Sequence, residues 1–359
     1  MMTVFRLNDL LPVFLFESLF LFTAYLYLRN NSFGKKESFR FLILSFVLNS
    51  LIFFGTSMLF TQSLSTNFRT ISLNLSHFNF NPDVVNLALT VIIISYTAKI
   101  FLIPYYFFLN KTSELKIELK LFLLVNLIFL ISFILLRFLS TSFIDHSSFL
   151  SNTDEIIVLA NLNSNKICLY IGCILIFITA ASSIVIKAEK HFLVLLFLWL
   201  TGILILSMSS TSLENLQTTL MILFVTILSA SGVLISANFI EAGFKNNLVK
   251  ASLLIFLATA IGMPPSIGFF SKFYLFSSLI SSNHVWAVVL LIFTMIPFIY
   301  RAFHFTKNIF LEHIKPSEVK FNIYFYFIFI ILLIPAILLS VAPGLLINFV
   351  KMVSNEMFL

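Results

Sequence analysis

The sequence predicts an all-α polytopic membrane protein of about ten transmembrane helices, and three observations predict it. Only 10% of the 359 residues are charged and 60% are hydrophobic, whereas a soluble domain carries about 25% charged residues. Apolar runs of ~20 residues, long enough to cross a bilayer, recur along the whole chain. The basic residues fall mostly in every second connection between those runs.

The ten spans are placed at 9–30, 39–61, 84–109, 120–140, 166–186, 190–210, 218–241, 250–281, 285–306 and 321–350. No segment between them is long enough to fold separately, so residues 1–359 are expected to form a single transmembrane domain. The eighth and tenth runs exceed what a bilayer needs, which predicts tilt or an interruption in each. Fourteen of the 22 Lys and Arg residues lie in the odd-numbered connections, from Arg29 and Lys35 after the first span to Lys315 and Lys320 after the ninth. The positive-inside rule then puts those connections on the matrix or cytoplasmic side and both termini on the outer side. This bias accounts for most of the net charge of +7. A nucleic-acid partner is excluded, because no basic face with interleaved aromatics is present.

The start, MMTVFRLNDLLPVFLFESLF, shows neither a small-residue cleavage site nor an Arg/Ser-rich amphipathic prefix. No secretory signal or imported transit peptide is therefore expected. Forty-six phenylalanines against nine glycines suggest AT-rich coding, and together these features favour synthesis inside an organelle. Cys168 and Cys173, five apart in one apolar run, suit buried filler rather than a disulfide framework or a metal site. The scattered histidines offer no pair at matched depth for a haem.

Four charges fall inside spans. Arg301 lies about one turn from the inner end of span nine and can snorkel. Glu17 stands alone in PVFLFESLFLF, Lys99 lies some fifteen residues into its span, and Lys272 is about ten from the outer end of its own. An ionised group at the bilayer centre costs ~2.5–3.5 kcal/mol even on lenient insertion scales, so such groups persist when they pair or when they work. A Glu17–Lys99 ion pair that only fixes helix register is the structural reading. It leaves Lys272 without a partner, since no second intramembrane acid exists. The functional reading is a proton path: burial disfavours a charged amine and a nearby carboxylate favours it, so a carboxylate that moves can switch a lysine's proton.

The prolines support the second reading. Pro264 and Pro265 lack N–H groups and clash with the preceding turn, which predicts two half-helices in span eight. Pro104, five residues after Lys99, is expected to break span three in the same way. Free backbone groups at mid-membrane are tolerated only against protein or water, and broken helices beside ionisable groups mark transporters.

The stretch GMPPSIGFFSKFYLF (262–276) resembles the broken-helix signature of the antiporter-like membrane subunits of respiratory complex I, roughly G-[IM]-P-P-x-x-G-F-x-x-K-F-Y. The lysine followed by Phe-Tyr is similar to the NADH dehydrogenase subunit 2 branch. VFLFESLFLFTAYL resembles that family's glutamate helix, FRFLILSFVLNSLIFFGTSMLF the helix after it, and SYTAKIFLIPYYFF the first broken helix. HVWAVVLLIFTMIPFIYRAF resembles the helix after the Pro-Pro motif. The resemblance implies an antiporter-like fold with spans three and eight broken, and proton-transfer roles for Glu17, Lys99 and Lys272. It further implies a non-redox membrane subunit of an H+-translocating NADH:ubiquinone reductase in the mitochondrial inner membrane. Such a chain holds no cofactor or metal; FMN, iron–sulfur clusters and ubiquinone are expected in other subunits. Its partners would be lipids and other membrane-arm subunits.

Three departures accompany it. The family has fourteen helices, so the first four would be missing or carried by a separate chain. A further family lysine would fall near Ile128 and Phe129, and a histidine near Leu200, but neither is present. Two other functions therefore stay open: a subunit of a multi-subunit cation/proton antiporter, and a structural complex I subunit that no longer pumps.

Overall fold

The computed structural model describes residues 9–30, 35–67, 70, 71, 74, 81–109, 154–185, 189–209, 213–241, 247–311 and 323–358; for 11, 27, 28, 30, 35–37, 82, 101–109, 154–165, 189, 190, 213, 241, 311, 323–328 and 355–358 it describes the backbone only. The expected span 120–140, with Ile128 and Phe129, lies outside these residues. What is described is helical: α1 (Leu10–Asn30), α2 (Lys35–Ser63), α3 (Pro82–Leu109), α4 (Asp154–Val185), α5 (Glu189–Ser207), α6 (Leu213–Glu241), α7 (Asn247–Ile261), α8 (Ile267–Ser281), α9 (Val285–Leu311), α10 (Ile323–Val341) and α11 (Pro343–Phe358).

Local chemistry explains several of the helix ends. At the start of α3 the Asn81 carboxamide oxygen accepts the Asp83 N–H at 3.1 Å, and Pro82 takes the first helical position, where no donor is needed. Pro343 opens α11 in the same manner. Hydroxyls inside the spans satisfy themselves on the preceding turn, as Thr201 does on Leu198 O (2.8 Å) and Ser236 on Gly232 O (2.7 Å).

Five helical stretches are long and apolar enough to cross a membrane among the described residues: Ser38–Ser63, Asp83–Ile100, Lys166–Val185, Glu214–Ile240 and Val285–Phe310. Shorter apolar helices occupy Pro12–Leu26 and His191–Ser207, within the expected first and sixth spans. The eighth run divides into α7 and α8, 15 residues each. The tenth is no straight span: Phe329–Val341 and Pro343–Ser354 meet at 101°. Span three, expected to break at Pro104, is one continuous helix through Leu109. A proline removes a single N–H, and a helix that keeps its neighbours can run past it.

The chain divides into two compact units: α1–α3 with the N-terminal half of α4, and the C-terminal half of α4 with α5–α11. In the first, α2 packs between α1 and α3. In the second, α6 is almost entirely buried and packs against α5, α7, α8, α10 and α11. Exposed side chains of α1 and α2 include Leu15, Leu19, Phe22, Phe46, Phe53 and Phe54, an apolar outer surface that suits a lipid solvent. Cys168 and Cys173 are free thiols buried in α4.

Candidate functional site

In the first unit, each of α1, α2 and α3 carries a charged or carboxamide side chain within its buried stripe. The buried positions of α1 are Leu10, Val13, Glu17, Leu21 and Ala24, spaced three or four apart as one helix face requires. On α2 the corresponding stripe is Ser38, Phe41, Ser45, Asn49, Ile52, Leu59 and Ser63. Lys99 follows Ile92 and Tyr96 on α3. The helix periodicity thus sends the carboxylate, the amide and the ammonium into one interior.

There they meet. Lys99 Nζ donates to Glu17 Oε1 at 2.6 Å and to Asn49 Oδ1. The Tyr96 ring centroid lies 5.3 Å from the ammonium. Glu17 is 0% and Lys99 1% exposed, so water screens neither. The second carboxylate oxygen, Glu17 Oε2, is buried with no hydrogen-bond partner. An ionised carboxylate offers about four acceptor sites. Leaving one oxygen empty in the interior costs roughly 1–3 kcal/mol.

The second unit supplies Lys272 by a different device. Gly262, at φ +85°, ends α7 in the left-handed conformation, and Met263 N–H bonds back to Ala258 O at 2.9 Å. Gly262 N–H bonds to the same oxygen, a glycine-ended terminus that still leaves the final carbonyls of the helix free. Lys272 Nζ takes two of them, Ala260 O at 2.8 Å and Ile261 O. It also lies 4.5 Å from the centroid of the Trp199 ring. The close fold-back needs Gly268, since a β-carbon there would stand 2.7 Å from the Thr259 carbonyl carbon. The segment G-M-P-P-S-I-G therefore breaks the helix and exposes carbonyls at its end. It then turns α8 so that Lys272 returns to them.

That arrangement answers the missing counter-charge. The C-terminus of a helix carries about half a negative charge on its unsatisfied carbonyls, so a broken helix provides inside the membrane what an acid would otherwise supply. Pro264 and Pro265, joined by a cis peptide, form the turn between the two halves. Pro104 lies within α3. Leu200, where the family histidine would fall, is buried beside Trp199 on α5. Arg301 does not simply reach outward: Nη1 donates to Ser183 O at 2.8 Å in the last turn of α4, and the guanidinium lies 5.6 Å from the Phe192 ring centroid.

Asn49, Tyr96 and Trp199 were not singled out by sequence reasoning. Asn49 had a visible signal, a carboxamide in the middle of an apolar run. An aromatic residue in this chain carries no such signal, because 16% of the residues are aromatic.

No family model matches the chain. Over 80 residues it is 29% identical to NADH-quinone oxidoreductase subunit N of Trichlorobacter lovleyi, and this stretch covers 22% of the chain and 16% of that protein. Over 84 residues it is 36% identical to NADH-quinone oxidoreductase subunit N 2 of Chloroherpeton thalassium, covering 23% of the chain and 16% of the relative. The matched stretches thus span well under two thirds of these relatives.

The structural likeness is far more extensive. A chain of the membrane-bound sulfane sulfur reductase, an archaeal respiratory membrane complex, superposes with a TM-score of 0.81 at 14% identity, over 98% of this chain and 72% of that one. A chain of the Mrp complex from a Dietzia species gives 0.77 at 11% identity, over 98% and 74%. A chain of respiratory complex I from Thermus thermophilus gives 0.75 at 16%, over 99% and 76%. The resemblance to antiporter-like subunits holds in sequence and in architecture: the chain has the all-helical, multi-pass membrane fold of these complexes.

Proposed function

We propose that the chain is a proton-translocating membrane-arm subunit of an NADH:ubiquinone oxidoreductase, working without a redox centre of its own. One observation carries the reading: a buried Glu17–Lys99 pair whose carboxylate keeps one oxygen open. In this reading Lys99 holds a proton while Glu17 faces it. When Glu17 moves off, the ammonium keeps only Asn49 as an acceptor, and burial then favours loss of the proton. A water at Glu17 Oε2 passes protons into and out of the pair. Lys272, held at the end of α7, is the second carrier, on the exit side, and the break at Pro264–Pro265 admits water to it. NADH oxidation, FMN, iron–sulfur clusters and ubiquinone reduction belong to partner subunits. The setting is the mitochondrial inner membrane, with both termini on the intermembrane-space side.

The likeness to the Mrp complex favours a second reading on the same fold, a subunit of a cation/proton antiporter. Gentle detergent extraction, a native gel stained for NADH oxidation and mass spectrometry of the band separate the two. The first reading expects this chain in a large NADH-active band, together with any separate chain that supplies further helices. A small complex free of flavin and iron–sulfur subunits would overturn it in favour of the second.

A further inference from the structure

Trp199 is 0% exposed and is fixed on two sides. Its ring stacks on Phe298 with centroids 4.8 Å apart, and its Nε1–H points to Thr294 Oγ1 at 3.4 Å. Both partners are on α9, so the indole on α5 cannot turn freely. Against this fixed ring lies the Lys272 ammonium, 4.5 Å from the centroid.

The three contacts of Lys272 respond differently to its proton. The carbonyls of Ala260 and Ile261 accept N–H groups, and a neutral amine still has two to give. The electron-rich face of an indole attracts only the cation, by up to ~2 kcal/mol where water is excluded. The carbonyls therefore hold the side chain in both states, and the ring distinguishes them. Among the described residues no carboxylate pairs with Lys272. Of the titratable side chains described on α5–α9, His191 (α5), Glu214 (α6), Lys250 (α7), Tyr274 (α8), and Tyr300, His304 and Lys307 (α9) make no ion pair with Lys272, and Arg301 (α9) is turned to Ser183.

We propose that Trp199 is the positioning residue for proton transfer at Lys272: its ring holds the ammonium at the end of the broken helix and loses its hold when the amine becomes neutral. This rests on the reading of Lys272 as a proton carrier. It also supplies, on the helix where the family's histidine is absent, a neutral group that favours one protonation state without itself titrating.

The chain provides its own reporter. It has two tryptophans, and the other, Trp286, is 47% exposed, so Trp286→Phe leaves Trp199 as the sole indole. The full chain carrying that change is placed in lipid nanodiscs, with Lys272 retained, as Lys272→Arg or as Lys272→Gln. Emission and ultraviolet resonance Raman bands of the indole are then followed as pH rises. Lys272→Arg is expected to hold the cation signature throughout, and Lys272→Gln to lose it at every pH. The parent should pass from the first to the second. Should Lys272→Gln fail to fold, the parent against Lys272→Arg still decides. Identical spectra from all folded forms would overturn the contact. A parent that tracks Lys272→Arg at every pH would overturn the proton step. Neither result depends on which complex holds the chain, a question the native gel answers by itself.

Discussion

Lys272 and Gly262 are ten residues apart in sequence, yet the lysine Nζ lies 3.0 Å, and its Cδ 2.7 Å, from where a β-carbon on the glycine would stand. The glycine thus has two duties. It turns the chain at φ +85°, and it leaves room for the cation that caps the helix it ends.

The two duties separate in a mutant cycle. Gly262→Ala is expected to destabilise the chain by ~1–2 kcal/mol from backbone conformation alone, with a further cost from displacing Lys272. In a Lys272→Met background the second cost disappears, so the alanine should be better tolerated there. Thermal unfolding in detergent measures all four forms. Equal costs in the two backgrounds would show that the glycine serves the turn and not the lysine.

At the other site the partners should prove strongly non-additive. Lys99→Met strands a buried carboxylate, and Glu17→Gln leaves a buried ammonium with neutral acceptors only. Removing one member of a buried pair costs ~3–5 kcal/mol, while replacing both is much milder. The double variant Glu17→Gln, Lys99→Met is therefore expected to unfold at a higher temperature than Lys99→Met alone. Under the proposed function, all three variants should lose NADH-driven proton transfer in the assembled complex. Stability that simply adds across the two changes would mean that the pair is not formed.

The sites were legible in the sequence wherever a charge is out of place in an apolar run. Glu17, Lys99 and Lys272 stand out for that reason, and their burial follows from helix periodicity. What settles Lys272 was not legible, because backbone carbonyls have no letter: they become ligands only after Gly262 and the prolines have ended α7. Pro104 shows the converse. The same letter that marks a break at Pro264–Pro265 sits inside a continuous helix in α3, since one lost N–H breaks a helix only if the chain also turns. The tenth run illustrates the limit of hydropathy. Residues 321–350 are mostly apolar, but apolarity carries no direction, and the chain bends by 101° before Pro343, where α11 packs on α6.

Asn49 shares the Lys99 ammonium with Glu17. Asn49→Leu removes a charge-assisted bond, worth ~1.5–3 kcal/mol, and leaves Lys99 wholly dependent on the carboxylate. The expected result is a lower unfolding temperature, with most of the loss recovered by Asn49→Asp, which restores an acceptor for the cation. Unfolding that is unchanged in Asn49→Leu would remove Asn49 from the site.

Arg301 offers the last test, because its partner is a backbone carbonyl that no substitution can delete. Its guanidinium joins α9 to the final turn of α4 through Ser183 O, at a helix end where cations are favoured by ~0.3–1 kcal/mol on dipole grounds alone. The hydrogen bond and the Phe192 face add to that. Arg301→Met is expected to lower stability by ~1.5–3 kcal/mol, the range for a hydrogen bond to a charged group. Arg301→Lys should fall between the two, since an ammonium keeps the charge and one bond but not the planar stacking. Limited proteolysis gives an independent readout, for cutting near Val185 should quicken in Arg301→Met if the last turn of α4 frays. Were Arg301→Met to match the parent in both measurements, the residue would be a lipid-facing charge with no part in holding the second unit together.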